Sequence, residues 1–336
     1  MKAHDRRVLP RRDVSLTVLG LGGAQMGGMY RDVSLSACQD LVAEAWQAGV
    51  RYFDTAPYYG YTRSERRLGA LLDGYGRDGF VLSTKAGRLM VPDATVGAEE
   101  GEWVRPLPFR PTYDYTHDGI LRSFDASGQR LGVLRTDILY VHDIGRMTHG
   151  DRHEHYWDQL TRGGGFRALG QLRDEGRVGA VGLGVNEWEV AADAMDAFDL
   201  DVTMLAGRYT LLEQGSLGFL ERCAREGVAI VAAGAFNSGT LAGNSKFNYR
   251  DAPAEVVART ERLRAVCDSF GVPLQAAALQ FPLHHPAVAS CVVGARSAEQ
   301  FGGNVRSLET PIPPGFWDRL KRDGLLDEAA PTPSAS

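Results

Sequence analysis

The sequence is poor in cysteine and lacks the cysteine spacings that build metal or disulfide sites. Its four cysteines, Cys38, Cys223, Cys267 and Cys291, lie far apart in 336 residues, and none belongs to a CxxC pair. Small secreted disulfide proteins and zinc-ribbon proteins need dense, regularly spaced cysteines. We therefore expect reduced, mostly buried thiols in a cytoplasmic protein.

Long apolar runs and a strong charge of one sign are also missing. No run of about 18 apolar residues occurs, and the basic N-terminal stretch MKAHDRRVLPRRD lacks the apolar core of a signal peptide. The net charge is only −5, which gives no electrostatic reason to bind nucleic acid or an anionic membrane. We expect a small-molecule substrate as the partner, and the sequence leaves the oligomeric state open.

Signature motifs of three common enzyme classes are absent or incomplete. No GxSxG sequence is present, which argues against a serine hydrolase of the nucleophile-elbow type. In the glycine-rich stretch Gly20–Gly28, Gln25 occupies the position of the third glycine of a dinucleotide fingerprint, so no Rossmann domain is expected. His149, His153 and His155 are the only candidate metal ligands, and no strand-end ligand accompanies them. We expect no metal.

The sequence does contain a regular alternation of apolar runs and amphipathic helical patterns. Strands are predicted at 16–21, 50–54, 79–84, 136–141, 178–183, 200–205, 228–232 and 288–293. Helices are predicted at 34–48, 64–73, 117–131, 165–176, 187–197, 215–226, 254–270, 273–282 and 297–307. Eight strands, each followed by a helix, predict an α/β fold in which a parallel sheet closes into a (β/α)8 TIM barrel. We expect one domain over residues 1–326.

Several segments lie outside that alternation. Two short extended pieces, Arg7–Leu9 and Leu16–Leu19, predict an N-terminal β-hairpin that caps one end of the barrel. The low-complexity tail 327–336 is expected to be disordered. Three long connections leave carboxyl ends of strands and should shape a pocket on the C-terminal face, at 86–116, 143–164 and 233–253.

Three predicted strands end on chemically reactive side chains. Asp54, Lys85 and His142 lie at or just beyond the ends of their strands, and Tyr59 follows in the loop after Asp54. Active sites of such barrels lie at this edge. A nearby ammonium can lower the pKa of a tyrosine, which is near 10 in water, and a carboxylate behind it keeps the ammonium charged. We therefore expect a relay from Asp54 through Lys85 to Tyr59, with His142 positioning the substrate oxygen.

Each of these residues taken singly has an ordinary structural explanation, so the argument depends on the four together. Such a site can move a proton at an oxygen but has no nucleophile with its own base. Proton transfer beside a glycine-rich loop fits hydride transfer, with a nicotinamide carrying the redox change.

The motifs resemble the aldo-keto reductase family. FDTAPYYG, VLSTKAG, ILYVHD, VGLGVNEW and VVGARSAEQFGGNV occur in the order found in that family, across about residues 14–307. The resemblance implies that Tyr59 is the general acid or base, that Lys85 and Asp54 tune it, and that His142 positions substrate. It also implies NAD(P) bound in an extended form over the C-terminal face, without a Rossmann domain.

The same resemblance assigns cofactor contacts along the strand ends. Asn186 matches the asparagine that holds the nicotinamide carboxamide. Asp54, at the end of its strand, is a further cofactor position. The others fall in the glycine-rich turn, the pyrophosphate loop and the segment at the adenosine end: Gly22, Gly23, Phe236, Asn237, Ser238, Gly239, Gly294, Arg296, Ser297, Gln300 and Asn304. A helix N-terminus near Ser297 would favour an anion there.

Four positions depart from the family pattern. Val185 and Ala206 stand where serine and glutamine are common, which weakens two expected nicotinamide contacts. Gly294 and Gln300 stand where NADP-preferring members often carry lysine and arginine. NAD is therefore favoured over NADP, although Arg296 could substitute as the cation.

Within the family, the loops look most like a branch of bacterial sugar dehydrogenases that includes D-threo-aldose (L-fucose) 1-dehydrogenase and pyridoxal 4-dehydrogenase-like enzymes. This implies oxidation of an aldose such as L-fucose or D-arabinose at its anomeric carbon, giving a lactone. Trp103, His142, Arg208 and Asn237 are the candidate substrate contacts. The alternatives are pyridoxal oxidation, general aldehyde or ketone reduction, and a non-catalytic NAD(P)-binding regulatory subunit.

Overall fold

The architecture is that of a closed parallel barrel, taken from a computed structural model that describes residues 1–244, 246–247 and 250–333. The strands are β1 (Arg6–Val8), β2 (Ser15–Thr17), β3 (Leu19–Gly22), β4 (Tyr52–Asp54), β5 (Val81–Ala86), β6 (Arg88–Pro92), β7 (Glu99–Glu100), β8 (Trp103–Val104), β9 (Phe109–Tyr113), β10 (Thr136–His142), β11 (Val178–Val185), β12 (Val202–Ala206), β13 (Ala229–Ala233), β14 (Lys246–Phe247), β15 (Arg250–Asp251) and β16 (Val288–Gly294). The helices are α1 (Leu35–Gln47), α2 (Arg63–Leu72), α3 (His117–Leu131), α4 (Arg146–His149), α5 (His153–Leu160), α6 (Gly165–Asp174), α7 (Trp188–Ala197), α8 (Leu217–Glu226), α9 (Ala254–Phe270), α10 (Leu274–Gln280), α11 (Ala298–Glu309) and α12 (Pro314–Arg322).

Eight strands form the barrel in the order β3, β4, β5, β10, β11, β12, β13 and β16, and β16 pairs with β3 to close it. All eight pairings are parallel, as short strands joined by helices require. The predicted (β/α)8 barrel is confirmed. Among the described residues, no helix is both long enough and apolar enough to span a membrane.

The barrel has an inner and an outer core. Inward side chains of the strands, among them Tyr52, Ile138 and Val202, pack with Leu9 and Leu16 of the N-terminal hairpin. β1 and β2 pair antiparallel and so plug the end of the barrel at which the strands begin. The predicted hairpin is present. The larger apolar cluster lies between the strands and the surrounding helices.

The structure differs from the sequence prediction in several boundaries. The predicted strand 16–21 divides at Val18, because β2 pairs with β1 while β3 pairs with β16 and β4. The predicted helix 273–282 ends at Gln280, and a 3-10 turn follows from Phe281 to His284. The helix α12 was not predicted.

The three long connections contain short helices and strands. Residues 86–116 contain the antiparallel pairs β6–β9 and β7–β8, and residues 143–164 contain α4 and α5. Within 233–253, a 3-10 segment Asn237–Ala242 precedes the short pair β14–β15. These elements are too short to leave a periodic pattern in the sequence.

The first residues of the tail 327–336, which was predicted to be disordered, contact the barrel domain. The backbone N–H of Asp327 donates to Oε1 of Gln214 at 3.0 Å, and Ala330 is fully buried. Residues 334–336 lie outside the described residues, so disorder there stays a prediction.

Candidate active site

The four side chains predicted to carry the chemistry come from adjacent strand ends. Asp54 ends β4, Lys85 lies next to the last residue of β5, and His142 ends β10. The register places Asp54 opposite Ser83 and places Tyr140 opposite Lys85. Tyr59 lies in the turn that joins β4 to α2. The carboxyl edge of the barrel therefore gathers all four, as the sequence predicted.

Lys85 and Asp54 form a buried ion pair, and each residue is only 2% exposed. The Lys85 ammonium donates to Oδ1 and Oδ2 of Asp54 at 3.0 and 2.8 Å and to the backbone oxygen of Thr55 at 2.9 Å. The Ser83 hydroxyl donates to Oδ1 of Asp54 at 2.7 Å. Gly184 gives the lysine room, since a Cβ there would lie 3.3 Å from Cε of Lys85. Both charges are thus fully hydrogen-bonded, as burial requires.

The ion pair keeps the lysine charged. Burial alone would lower the pKa of Lys85, but the Asp54 carboxylate and the Tyr59 hydroxyl outweigh it, and the pKa lies above its usual value. Burial raises the pKa of Asp54, and Lys85 and Ser83 oppose that rise. A protonated ammonium therefore sits beside Tyr59 at neutral pH.

Tyr59 lies against this ammonium, with the Lys85 nitrogen 4.8 Å from the centre of its ring. Burial raises the pKa of Tyr59, while Lys85 lowers it both as a charge and as a hydrogen-bond donor. The sequence argument expected a net lowering, and the structure shows a net rise because burial is the larger effect. Tyr59 is therefore protonated at neutral pH, and its phenolate forms in the alkaline range.

His142 faces Tyr59 across the site, with ring centres 5.8 Å apart. Burial, Arg88 and Lys85, in that order, lower its pKa well below the usual value, so the imidazole is neutral. Its Nε2 lies 3.5 Å from Oδ2 of Asp143. Its Nδ1 is buried without a partner in the part of the chain that the structure describes. A neutral imidazole here can hydrogen-bond a substrate oxygen without adding charge.

Aromatic rings surround the reactive groups. Trp103 is 1% exposed, and its ring lies 5.3 Å from the Tyr58 ring and 5.8 Å from the Tyr59 ring. Tyr58 also meets His142 edge-on at 6.3 Å. We call Tyr58, Tyr59, Trp103 and His142 the aromatic cluster. The predicted substrate contacts Trp103 and His142 belong to it.

The other two predicted substrate residues lie on neighbouring loops. Arg208 donates to both Glu213 carboxylate oxygens at 2.9 Å and, through Nε, to the backbone oxygen of Asn186 at 2.7 Å. These bonds tie Arg208 to protein groups, and its role as a substrate contact stays a prediction. Asn237 is buried, and its Nδ2 reaches the backbone oxygen of Gly207 at 3.4 Å.

The loop after β13 has the backbone of a ligand cradle. Asn237, Ser238 and Gly239 have φ of 46°, 58° and 102°, so three successive residues are left-handed, and Phe236 precedes them half-buried. Oδ1 of Asn237 is a buried acceptor with no partner among the described residues. Strain and an unmet acceptor in one loop are typical of a binding site.

Three of the predicted cofactor glycines, Gly22, Gly23 and Gly294, lie close to neighbouring side chains. A Cβ on Gly22 would meet Val292 at 3.0 Å, and one on Gly23 would meet the Ser64 hydroxyl at 2.5 Å, so both permit close packing at the strand end. Gly294 is exposed, and a Cβ there would lie 1.9 Å from Oε1 of Gln25. That oxygen is itself buried without a partner in the described residues. Gln25 was not predicted as a site residue.

The predicted adenosine end lies at the start of α11. Ser297 caps this helix, its hydroxyl accepting from the N–H of Gln300 at 3.2 Å, while Oε1 of Gln300 accepts from the N–H of Arg296 at 2.9 Å. Arg296 is half-buried, and burial and the charge of Arg31 lower its pKa. Asn304 lies half-buried on the same helix. A capped helix N-terminus beside an arginine suits an anionic group.

Oδ1 of Asn237 and Oε1 of Gln25, the latter next to Gly294, have no partner among the described residues. Both lie at the carboxyl edge of the barrel, where the extended dinucleotide is expected. The residues present therefore fit NAD(P). Asn186, the Asn237–Gly239 loop and the Arg296–Gln300 segment would hold its nicotinamide, pyrophosphate and adenosine parts.

Two charged residues of the site were not predicted as functional. Arg88 follows Lys85 by three residues and donates to Oδ2 of Asp143 at 2.6 Å. Asp143 also accepts from Nδ2 of Asn186 at 3.1 Å. Ser83 was missed as well, although its position two residues before Lys85 on one strand places both side chains on the same face. No sequence pattern marks Arg88.

The histidines of the 143–164 connection are engaged with protein groups. Nε2 of His149 lies 2.9 Å from the Tyr115 hydroxyl, which donates to the backbone oxygen of His142 at 2.9 Å. Nδ1 of His153 lies 3.1 Å from the backbone oxygen of Ile144, and His155 bonds Gln159. The described residues contain no cluster of three or more His, Cys, Asp or Glu side chains that could hold a metal ion.

Comparison with known proteins gives consistent matches over nearly the whole chain. The profile of the Aldo/keto reductase family matches residues 18–322. The chain is 49% identical to pyridoxal 4-dehydrogenase of Microbacterium luteolum, over 97% of this chain and 99% of the relative. It is 39% identical to D-threo-aldose 1-dehydrogenase of a Pseudomonas species, over 95% and 96% of the two chains.

Among solved structures, an aldo-keto reductase from Bacillus halodurans in its holo form superposes with a TM-score of 0.74. It is 21% identical, and the alignment covers 97% of this chain and 98% of that one. At this identity the likeness supports the fold alone.

Proposed function

The chain belongs to the aldo/keto reductase family, and on that premise we propose that it is an NAD(P)-dependent dehydrogenase that oxidises a cyclic hemiacetal to a lactone. The observation that carries the proposal is the buried Lys85–Asp54 ion pair beside Tyr59, with neutral His142 across from it. This set can remove a proton from a hydroxyl while the carbon that bears it loses a hydride.

In the proposed reaction, the phenolate of Tyr59 takes the proton of the substrate hydroxyl. Lys85 stabilises that phenolate, and Asp54 keeps Lys85 protonated and aimed, through bonds of 2.8 and 3.0 Å. His142 hydrogen-bonds the substrate oxygen and so fixes the position of the reacting carbon. NAD(P), with its nicotinamide held by Asn186, would supply the hydride acceptor. The carbon is oxidised by two electrons, the C–H and O–H bonds break, and a carbonyl forms.

Pyridoxal in its hemiacetal form is the first proposed substrate. A flat heteroaromatic ring bound beside the aromatic cluster would gain ring–ring contacts, which contribute about 0.5–1.5 kcal/mol each beyond burial. The relative from Microbacterium luteolum, named for this reaction, is 49% identical. The second candidate is a D-threo-aldose such as L-fucose or D-arabinose, which the 39% identical relative supports. Both present a hydroxyl on a ring carbon next to a ring oxygen.

NAD is the proposed cofactor in preference to NADP. Gly294 brings no side chain to the adenosine end, and the amide oxygen of Gln300 is used by the backbone of Arg296. Arg296 is then the predicted cation nearest to a 2′-phosphate. A ratio of kcat/KM for NAD over NADP above one would agree with this, and a ratio well below one would contradict it.

The test is a substrate panel with purified protein and either cofactor. Pyridoxal, L-fucose, D-arabinose and a ring-locked O-methyl glycoside, which has no free anomeric hydroxyl, are compared through the absorbance of reduced nicotinamide. If pyridoxal has the highest kcat/KM, the result supports pyridoxal as the substrate. If L-fucose or D-arabinose has the highest kcat/KM, the result supports an aldose. Turnover of the glycoside, or no turnover with any hemiacetal, would refute the proposal.

A further inference from the structure

Asp143 is the centre of a small charged network next to the reactive groups. Its backbone is left-handed, with a φ of 44°, which is uncommon for a residue other than glycine. Its carboxylate accepts from Arg88 at 2.6 Å and from the amide of Asn186 at 3.1 Å, and it lies 3.5 Å from Nε2 of His142. A strained residue whose side chain meets three site residues is typical of functional positions.

The chemistry of Asp143 orients the Asn186 amide. An ionised carboxylate only accepts hydrogen bonds, so the Asn186 NH2 group must face it. The amide oxygen of Asn186 then points away from Asp143 and stays an acceptor. A primary carboxamide, such as that of nicotinamide, offers the N–H donor that such an oxygen binds.

Arg88 holds the Asp143 carboxylate in place through their 2.6 Å ion pair. The residue is 4% exposed, and its guanidinium carbon lies 4.3 Å from the centre of the Tyr58 ring and 5.5 Å from that of Tyr113. A buried arginine packed near two rings has little freedom to move. Without this cation beside it, the partly buried Asp143 carboxylate would lower the free energy of unfolding.

The backbone of Asn186 is fixed independently. Nε of Arg208 donates to its carbonyl oxygen at 2.7 Å, and Glu213 in turn binds Arg208. The flanking side chains Val185 and Ala206 are apolar and offer no amide or hydroxyl to share the task. Asn186 is therefore held by charged partners at both its side chain and its backbone.

We propose that the Arg88–Asp143 ion pair is a positioning pair that fixes the Asn186 amide to receive the nicotinamide carboxamide. The inference rests on the proposed NAD(P)-dependent function. The pair acts on affinity for the nicotinamide part of the cofactor and leaves affinity for the ADP-ribose part unchanged.

The test compares two ligands by calorimetric titration, NAD and ADP-ribose, which lacks nicotinamide. In the double variant Arg88→Met/Asp143→Asn both charges are removed, so no unpaired charge is buried. Residue 143 as asparagine can either donate or accept, and it no longer dictates the orientation of Asn186. We expect NAD to bind about tenfold more weakly, since one well-placed hydrogen bond is lost, with ADP-ribose within about twofold of the wild type.

Two further variants complete the design. Arg88→Lys keeps the cation and should lose less NAD affinity than the double variant. The control Arg77→Met/Asp137→Asn removes another 2.6 Å Arg–Asp ion pair, near the start of β10, and should leave both affinities unchanged. For the Arg88→Met/Asp143→Asn variant, an equal loss for both ligands, or an unchanged ratio of NAD to ADP-ribose affinity, would overturn the positioning role. If the wild-type protein binds neither NAD nor NADP, the proposed function itself fails.

Discussion

Replacing Asp54 by asparagine should both destabilise the protein and change how its stability depends on pH. Asparagine keeps the size of the side chain but removes the charge that holds the Lys85 ammonium, which would remain 2% exposed with the Thr55 carbonyl as its other partner. Breaking one partner of a buried ion pair costs about 3–5 kcal/mol. We expect a loss in the free energy of unfolding of about 3 kcal/mol at pH 7.

The pH dependence follows from the direction of the Lys85 shift. In the wild type its pKa is raised above the usual value, so its contribution is present below pH 10.5 and is lost as pH rises beyond that. Without Asp54, burial lowers the pKa of Lys85, so Lys85 binds its proton more tightly in the unfolded chain than in the native state. Stability of the variant then rises with pH up to about 10.5, and its deficit relative to wild type narrows in alkaline buffer.

Urea denaturation followed by tryptophan fluorescence at pH 7 and pH 9.5 measures both effects. The double variant Asp54→Asn/Lys85→Met leaves no buried charge and should recover about 1–3 kcal/mol relative to the sum of the single changes. Asp158→Asn, which breaks an exposed ion pair with Arg162, is the matched control and should cost about 0.5 kcal/mol or less. A loss in Asp54→Asn no larger than in this control, or a deficit that widens at pH 9.5, would refute the reasoning.

Three further results are expected. The kcat/KM for oxidation should rise by about tenfold per pH unit between pH 7 and 9, because the pKa of Tyr59 is raised. The same profile should show no inflection near pH 6.5, because the pKa of His142 is lowered. A plateau of kcat/KM between pH 7 and 9 would contradict the role of Tyr59. Trp103→Phe should raise KM for pyridoxal by about three- to tenfold with NAD affinity unchanged, as judged by initial rates and titration. An unaltered KM would show that Trp103 does not contact the substrate. Ser297→Ala, which removes the cap of α11, should cost about 1 kcal/mol of stability and weaken NAD binding, whereas Thr116→Ala, which removes the cap of α3, should cost a similar amount without changing NAD binding. Equal NAD affinities of the two variants would refute a cofactor role for the α11 cap.

The fold and the reactive set could be predicted because both leave local signals. Alternating apolar runs mark the strands, and Asp54, Lys85 and His142 each follow such a run. The partners Arg88 and Asp143 left no such signal, because their contact joins the β6 segment to the residue after β10, and only the folded barrel brings them together.

The direction in which the pKa of Tyr59 shifts could not be predicted from the sequence for a related reason. The expected meeting of strand ends at one edge of the barrel suggested the charge effect of Lys85, which lowers the pKa of Tyr59. The burial of Tyr59 raises its pKa more, and it involves contacts such as that with the Trp103 ring, which only the folded chain brings next to Tyr59. The short pairs β7–β8 and β14–β15 escaped prediction because strands of two residues have no periodicity.

The most direct test of the proton-transfer role is the variant Tyr59→Phe, which removes one hydroxyl beside Lys85. Steady-state turnover of the best substrate and the dissociation constant of NAD are measured on the same preparation. We expect kcat to fall by about 100-fold or more, as for loss of a general acid or base, with the dissociation constant within about twofold of wild type. A variant that keeps wild-type kcat would show that the proton leaves by another route.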